Sequence, residues 1–353
     1  MFQTYKAISK ILDPNPLNSL EDEIKQASFN WGKIVQLGSA HLVLPTIYYN
    51  LKKKKLLPSL PSDLAFFLKE IAELNSNKND LLLEQVFHIC ELFNQKKIEF
   101  VFLKGAALLG MDLYENIGER MIGDIDILVH ENQVEEAFNL LLENGYSILQ
   151  NTPGYSNLNP KHKPRIVHEK EDFIYAVEIH NRLFENYEFA ELNNKNIISN
   201  RILLRNIWLP KIEHLFLHNI LNWQINDNGV LKKTISFRSI YDNSLFLKID
   251  ASLHKSKWLS DKPFTNYLSL YSIFYPNFKH KSSLHLKLSR MFFIRRLKSP
   301  FFGYLWGKAV RIKLISRFLS NRVVHFIRNK KYRNDILTDK DNSFSKLKKI
   351  FKN

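Results

Sequence analysis

Cysteine is almost absent from this chain of 353 residues. The single one, Cys90, can form no intramolecular disulfide and no cysteine-built zinc site, which is the usage expected in a reducing cytoplasm. Long apolar runs are missing as well. Nowhere do about 18 apolar residues follow one another, as a membrane span requires. The start, "MFQTYKAISKILDPNPL", lacks the apolar core of a signal peptide, so neither secretion by that route nor a transmembrane segment is expected. There is no internal repeat and no low-complexity tract. The last fifth is short of acids: from Lys279 to Lys352 there are 21 Lys and Arg against 3 Asp and Glu, a net +18 out of a total of +16, so the remainder stands at −2. A nearly neutral body with a basic end implies a separate electrostatic task there, on nucleic-acid phosphates or an anionic membrane surface, against the plainer reading of a solvated helical face.

What is present, 45% hydrophobic and 24% charged residues, suffices for a sizeable core in two or three packed units. An N-terminal helical region is expected over 1–97, its apolar residues recurring at helical spacing from 18 to about 97 and broken at "LLPSLPSD". An α/β core is expected over 98–205. In it "IEFVFLKG" reads as a strand, "GAALLGMDLY" as a helix, and "GDIDILV" as a strand. An amphipathic helix stopped by Asn144-Gly145 leads into another strand, and "DFIYAVEIHNRL" is a further one. Residues 152–165, with three prolines, read as a mobile loop. Helical periodicity returns over 206–335, interrupted at Pro263, Pro276 and Pro300 and basic from about 279, before a polar tail at 336–353. Within it Leu305, Ile312, Ile315, Leu319, Val323 and Ile327 draw one apolar stripe, expected to pack on the body while Lys308, Arg311, Lys313, Arg317, Arg322 and Arg328 face outward. The fold class is therefore α+β: a small mixed sheet with helices, flanked by helical regions on both sides.

The strand "GDIDILV" sets Asp124 and Asp126 one residue apart in an otherwise apolar run. Alternation turns both to one face, where they repel and need water, Lys, Arg or a divalent cation. Upstream, Lys104-Gly105 lies at a strand-to-helix turn, where free backbone N–H groups can meet a phosphate and glycine permits close approach. Downstream, "VEIHNRL" supplies Glu178, a third carboxylate if the two strands are neighbours. His180 shares that face, and either contacts a base or phosphate or hydrogen-bonds within the sheet. Three acids around one volume suit two divalent cations, Mg²⁺ or Mn²⁺, that hold a nucleoside triphosphate and lower the pKa of an attacking hydroxyl. Asp124, Asp126 and Glu178 would bind metal, with Glu178 also a base, while Lys104 and Arg120 would neutralise phosphates. His214 and His218 have an i, i+4 zinc spacing but no third ligand and read as a core or surface pair. Arg238 and Asp242, also i, i+4, read as a helix salt bridge.

In this order, Lys104-Gly105, Arg120, "GDIDILV" and "VEIH" resemble the nucleotidyltransferase superfamily related to DNA polymerase β, most closely its branch known as the uncharacterised nucleotidyltransferase family. The resemblance covers roughly residues 30–245, including "LPKIEHLFLHNILNW" and "FRSIYDNSLFLK". It departs from the wider superfamily in having Lys104-Gly105 where Gly-Ser is usual, and Glu178 where many relatives use Asp. The resemblance implies transfer of a nucleoside monophosphate from an NTP to a hydroxyl of RNA, protein, sugar or another small molecule. The alternative is a non-catalytic nucleotide- or RNA-binding module that works through its basic end. The expected location is cytoplasmic, with peripheral membrane contact through the basic region as an option.

Overall fold

A computed structural model describes the chain except residues 15–18, 150–159, 186, 256, 276–277, 279–282 and 340–353. The N-terminal helices are α1 (Phe2–Leu12), α2 (Ser19–Ile24), α3 (Trp31–Ala40), α4 (Leu44–Lys53) and the long α5 (Ser62–Gln95). The middle follows as β1 (Phe100–Phe102), α6 (Lys104–Gly110), β2 (Asp124–Val129), α7 (Val134–Glu143), β3 (Tyr146–Ile148), β4 (Ile166–His168), β5 (Ala176–His180) and α8 (Asn194–Ser199). A hairpin of β6 (Ile202–Leu204) and β7 (Ile207–Leu209) leads into α9 (Ile212–Leu221), α10 (Gly229–Lys232), α11 (Phe237–Ile249) and α12 (Lys262–Tyr271). The end is α13 (Leu284–Lys298), α14 (Pro300–Arg328) and α15 (Lys330–Thr338), so helix continues into the stretch expected as polar tail; the rest of that tail lies outside the described residues. The expected α+β class is observed.

The five-stranded sheet has the order β1-β2-β5-β4-β3, with β2 and β5 parallel and the other pairs antiparallel. Its central strands are apolar for a reason: Ile125, Ile127, Val177 and Ile179 are fully buried. One hydrophobic cluster joins the sheet to helices on both sides, from Tyr5 to Leu297. The helix after β2 stops as expected, with Gly145 at φ +86°, a conformation that a β-carbon opposes.

Two expectations are corrected. Of the segment read as a mobile loop, residues 160–165 are ordered along β5: Lys163 donates to the Ile179 carbonyl at 2.8 Å and Asn181 to the Lys161 carbonyl at 3.0 Å, while residues 152–159 lie outside the described ones. And the apolar stripe of α14 does not pack on the body. A different flank packs, on α13, with Phe302 and Trp306 against Phe292 at ring separations of 4.9 and 4.6 Å and Val310 buried. That contact turns Leu305, Ile312, Val323 and Ile327 to solvent.

Candidate active site

The turn before β2 is held from three sides. On α5, Asn75 donates to the carbonyls of Gly118 (2.7 Å) and Arg120 (3.1 Å), and Asn79 to those of Ile117 (2.6 Å) and Arg120 (2.9 Å). Thr46 of α4 donates to the Glu119 carbonyl, and Tyr241 of α11 to its carboxylate. A β-carbon on Gly118 would sit 2.7 Å from the Tyr49 hydroxyl and 2.9 Å from the Ala72 carbonyl, so only glycine lets the turn lie this close to α4 and α5. From this anchor the chain enters β2 with a fixed register against β5.

That register pairs Asp126 with Glu178 and Asp124 with Ala176 on parallel strands. The three acids therefore share one face. Asp126 is 1% exposed. Its Oδ1 accepts from Lys104 Nζ at 2.5 Å and lies 2.8 Å from His180 Nε2. Burial alone would raise its pKa, but the charges of Lys104 and His180 outweigh burial and hold it well below the usual carboxylate range. Glu178 shows the same balance: burial raises it, the His180 hydrogen bond lowers it, and the net shift is downward. Asp124 goes the other way, raised by burial and by the neighbouring Asp126 charge. Arg165 spans the outer acids, with Nη2 2.6 Å from Asp124 and Nε 2.9 Å from Glu178. His162, whose burial lowers its pKa, stands 3.9 Å from Glu178.

The site is thus built for positive charge. Asp126, Glu178 and His180 offer ligand atoms that all lie within 4.8 Å of one another, and two carboxylates with an imidazole suit a divalent cation such as Mn²⁺ or Mg²⁺. Asp124 stands beside this group, on Arg165, rather than in it.

Several sequence expectations gain a place here. Lys104 opens α6 at φ +48°, rare for a residue with a side chain, and points its ammonium at Asp126. Gly105 was expected to admit a phosphate. It lines the cleft beside Lys104, and a β-carbon there would come within 2.7 Å of Ile122, so its smallness also serves the packing of α6 on the strand entry. Arg120 was expected to clamp phosphate by both nitrogens. It is 7% exposed, with Nη2 3.2 Å from Asp242 and Nη1 donating to the Met121 carbonyl, and it ties the turn to α11. Asp242 also accepts from Tyr114, so it serves Arg120 and Tyr114 rather than the expected helix pair with Arg238. His180, considered for a base or phosphate, is buried beneath the carboxylates. His214 and His218 are buried, as the core-pair reading has it, and burial lowers their pKa values to about 4 and about 3.

Two openings lie near the acids, and Asp124 lines the first. A narrow cleft between β2 and the C-terminal helices is lined by Lys104, Asp124, Arg120, Trp223 and Arg238. Its far wall includes a π-helical turn, Asn222–Asn226, a geometry that recurs at functional sites. Arg238 keeps its charge there although Arg120 and burial lower its pKa to about 10. A broader groove is lined by His162, Lys163, Arg182, Phe184 and Tyr187, of which His162 stands 3.9 Å from Glu178. Arg165, His162 and Arg238 were missed as site residues. Prolines 160 and 164 disguised the first two, and the i, i+4 spacing to Asp242 the third.

Residues 27–260 match the family described as uncharacterised nucleotidyltransferase. The chain belongs to that family. The match spans the sheet, all three acids and the helices that form the cleft, and ends before α12. Neither the curated proteins nor the solved structures gave a match. In this nucleotidyltransferase no helix among the described residues is long and apolar enough to cross a membrane.

Proposed function

We propose that this nucleotidyltransferase is a metal-dependent enzyme that moves a nucleoside monophosphate from an NTP to a hydroxyl acceptor and releases pyrophosphate. The observation that carries this reading is the pairing of Asp126 with Glu178 across two parallel strands, with Asp124 on the same face. Asp126, Glu178 and His180 would hold a divalent cation, with Asp124 available to a second. When bound, such ions neutralise phosphate oxygens and lower the pKa of the attacking hydroxyl.

The chain's own groups do the rest. Lys104 and Arg238 face the cleft as cations for the triphosphate. The groove at His162 and Tyr187 admits the acceptor, whether RNA, protein, sugar or a small molecule. Its hydroxyl oxygen attacks the α-phosphorus, the bond from that phosphorus to the β-phosphate oxygen breaks, and Glu178 takes the hydroxyl proton. Ile125, Ile127, Val177 and Ile179 lie on the other face of the same strands and keep the acids in position.

The test is to incubate the protein with each α-labelled NTP, Mg²⁺ or Mn²⁺ and a cell extract, and follow the label. Asp126→Asn keeps the shape and should lower transfer by at least about 100-fold, because a phosphoryl-transfer site without its metal-binding carboxylate loses most of its stabilisation. Wild-type rates in that variant would overturn the catalytic reading. Metal-dependent NTP binding without transfer to any acceptor would leave the non-catalytic module.

A further inference from the structure

The nucleotidyltransferase match ends at residue 260, and α13 and α14 lie beyond it. Together these two helices contain eleven Lys and Arg and no Asp or Glu. The hydrophobic cluster of the body ends at Leu297 and takes in no side chain of α14. Yet α14 is rich in large apolar residues, and they are ordered. At 100° per residue, Phe301, Leu305, Ile312, Leu319, Val323 and Ile327 fall in one row. Phe301, Ile312 and Ile327 are 72, 68 and 67% exposed. Leu284, Leu288 and Met291, at i, i+4 and i+7 on α13, are exposed as well. Lys308 and Arg311 lie on one side of the α14 row and Lys313 on the other, all three exposed.

We propose that the α13–α14 face is a docking surface for an anionic lipid membrane, with α14 lying flat in the interface. Charge complementarity selects this occupant. A second copy would bring eleven further cations against the first eleven. RNA would satisfy the cations but leave the apolar row in water. An anionic bilayer meets both demands: headgroups take the Lys and Arg, whose long stems reach upward, and the acyl boundary takes the row. At 29 residues α14 offers about 43 Å of such contact at about 1.5 Å per residue. Another flank stays packed on α13 through Phe302 and Trp306 against Phe292, with Val310 buried, so docking needs no unfolding.

The experiment is vesicle flotation of the full chain with phosphatidylcholine alone and with added phosphatidylglycerol, at low and moderate salt. Binding to the anionic vesicles is expected, with little to the neutral ones. Ile312→Ser, Val323→Ser and Ile327→Ser together leave charge and packed side chains untouched and should weaken that binding about tenfold or more. A second readout uses Ile312→Cys carrying an environment-sensitive dye, selective because Cys90 is buried with its thiol pushed up to about 12. A blue shift on anionic vesicles supports insertion of the row. Flotation that the triple variant does not weaken, or without a blue shift, overturns the proposal in favour of surface charge alone. Binding to tRNA but not to vesicles overturns it too, as does self-association that the triple variant abolishes while vesicles go unbound.

Discussion

Lys104 occupies a backbone conformation that costs a side-chain-bearing residue about 1 kcal/mol, and it occupies it in contact with the most buried acid of the site. The strain and the ion pair have opposite signs, and two substitutions separate them. Lys104→Gly relieves the backbone while Lys104→Ala does not, so the glycine variant should be about 1 kcal/mol more stable than the alanine variant in urea denaturation. Both should lose nucleotidyl transfer alike, since both remove the cation from Asp126. Equal stabilities would mean that the turn relaxes at no cost. At this scale the acids were legible in the sequence because strand alternation is rigid: with Ile125, Ile127, Val177 and Ile179 in the core, Asp124, Asp126 and Glu178 fall on the other face once β2 and β5 are neighbours. Gly105 and Arg120 were named, but their partners, Ile122 and Asp242, are tertiary contacts that spacing along the chain does not encode.

Elements were read best where periodicity is long. Helices α5, α7 and α9 follow their apolar patterns, and Pro300 starts α14 where a missing N–H is harmless. The hairpin β6–β7 went unnoticed because its turn is Arg205-Asn206, both at positive φ, instead of the Asn-Gly that usually signals one. The α14 stripe misled for another reason. Amphipathicity says that a face is apolar, and not which neighbour covers it. Within α5, polar Asn75 and Asn79 interrupt an otherwise apolar face because the turn at 117–120 needs donors for its inward carbonyls. Asn79→Ala orphans a bond to each of two carbonyls and should cost about 1–3 kcal/mol. It should also lower transfer, since this turn sets the start of β2. Denaturation and activity measured on the same preparation check it, and an unchanged midpoint would show that water replaces the amide.

Across the molecule, buried and half-buried neutral histidines tie stability to pH. His41 joins the N-terminal helices to α11: its Nδ1 accepts from the Phe237 N–H at 3.2 Å, so the neutral ring carries its proton on Nε2, 3.1 Å from the Tyr5 hydroxyl. Burial, with Arg296 and Arg238 nearby, lowers its pKa to about 4, and burial lowers that of His214 likewise to about 4. Unfolded histidine titrates near 6.5. Stability from these groups is therefore fully present above pH 6.5 and is lost as pH falls from 6.5 towards 4, by up to about 1.4 kcal/mol per pH unit for each ring. Unfolding free energies measured from pH 8 to 4.5 should stay level and then drop. His41→Asn, which keeps an acceptor for Phe237 and cannot be charged, should make the drop shallower; an identical profile would remove His41 from the account.

Arg165 already sits where a metal ion's charge would be felt, on Asp124 and Glu178 together. A cation that binds these acids has to loosen that guanidinium, and the acids are ready only in the fraction of molecules where it has let go. A triphosphate offers Arg165 a new anionic partner. Occupancy by one therefore favours occupancy by the other, and linkage makes the gain reciprocal: whatever factor the nucleotide adds to metal affinity, the metal adds to nucleotide affinity. Calorimetric titration of Mn²⁺ with and without a non-hydrolysable NTP should show that factor. Replacing Arg165 by Gln should tighten metal binding in the absence of nucleotide and shrink the factor towards one, which would make a side chain just after Pro164 the setter of how far the proposed metal and nucleotide sites depend on each other.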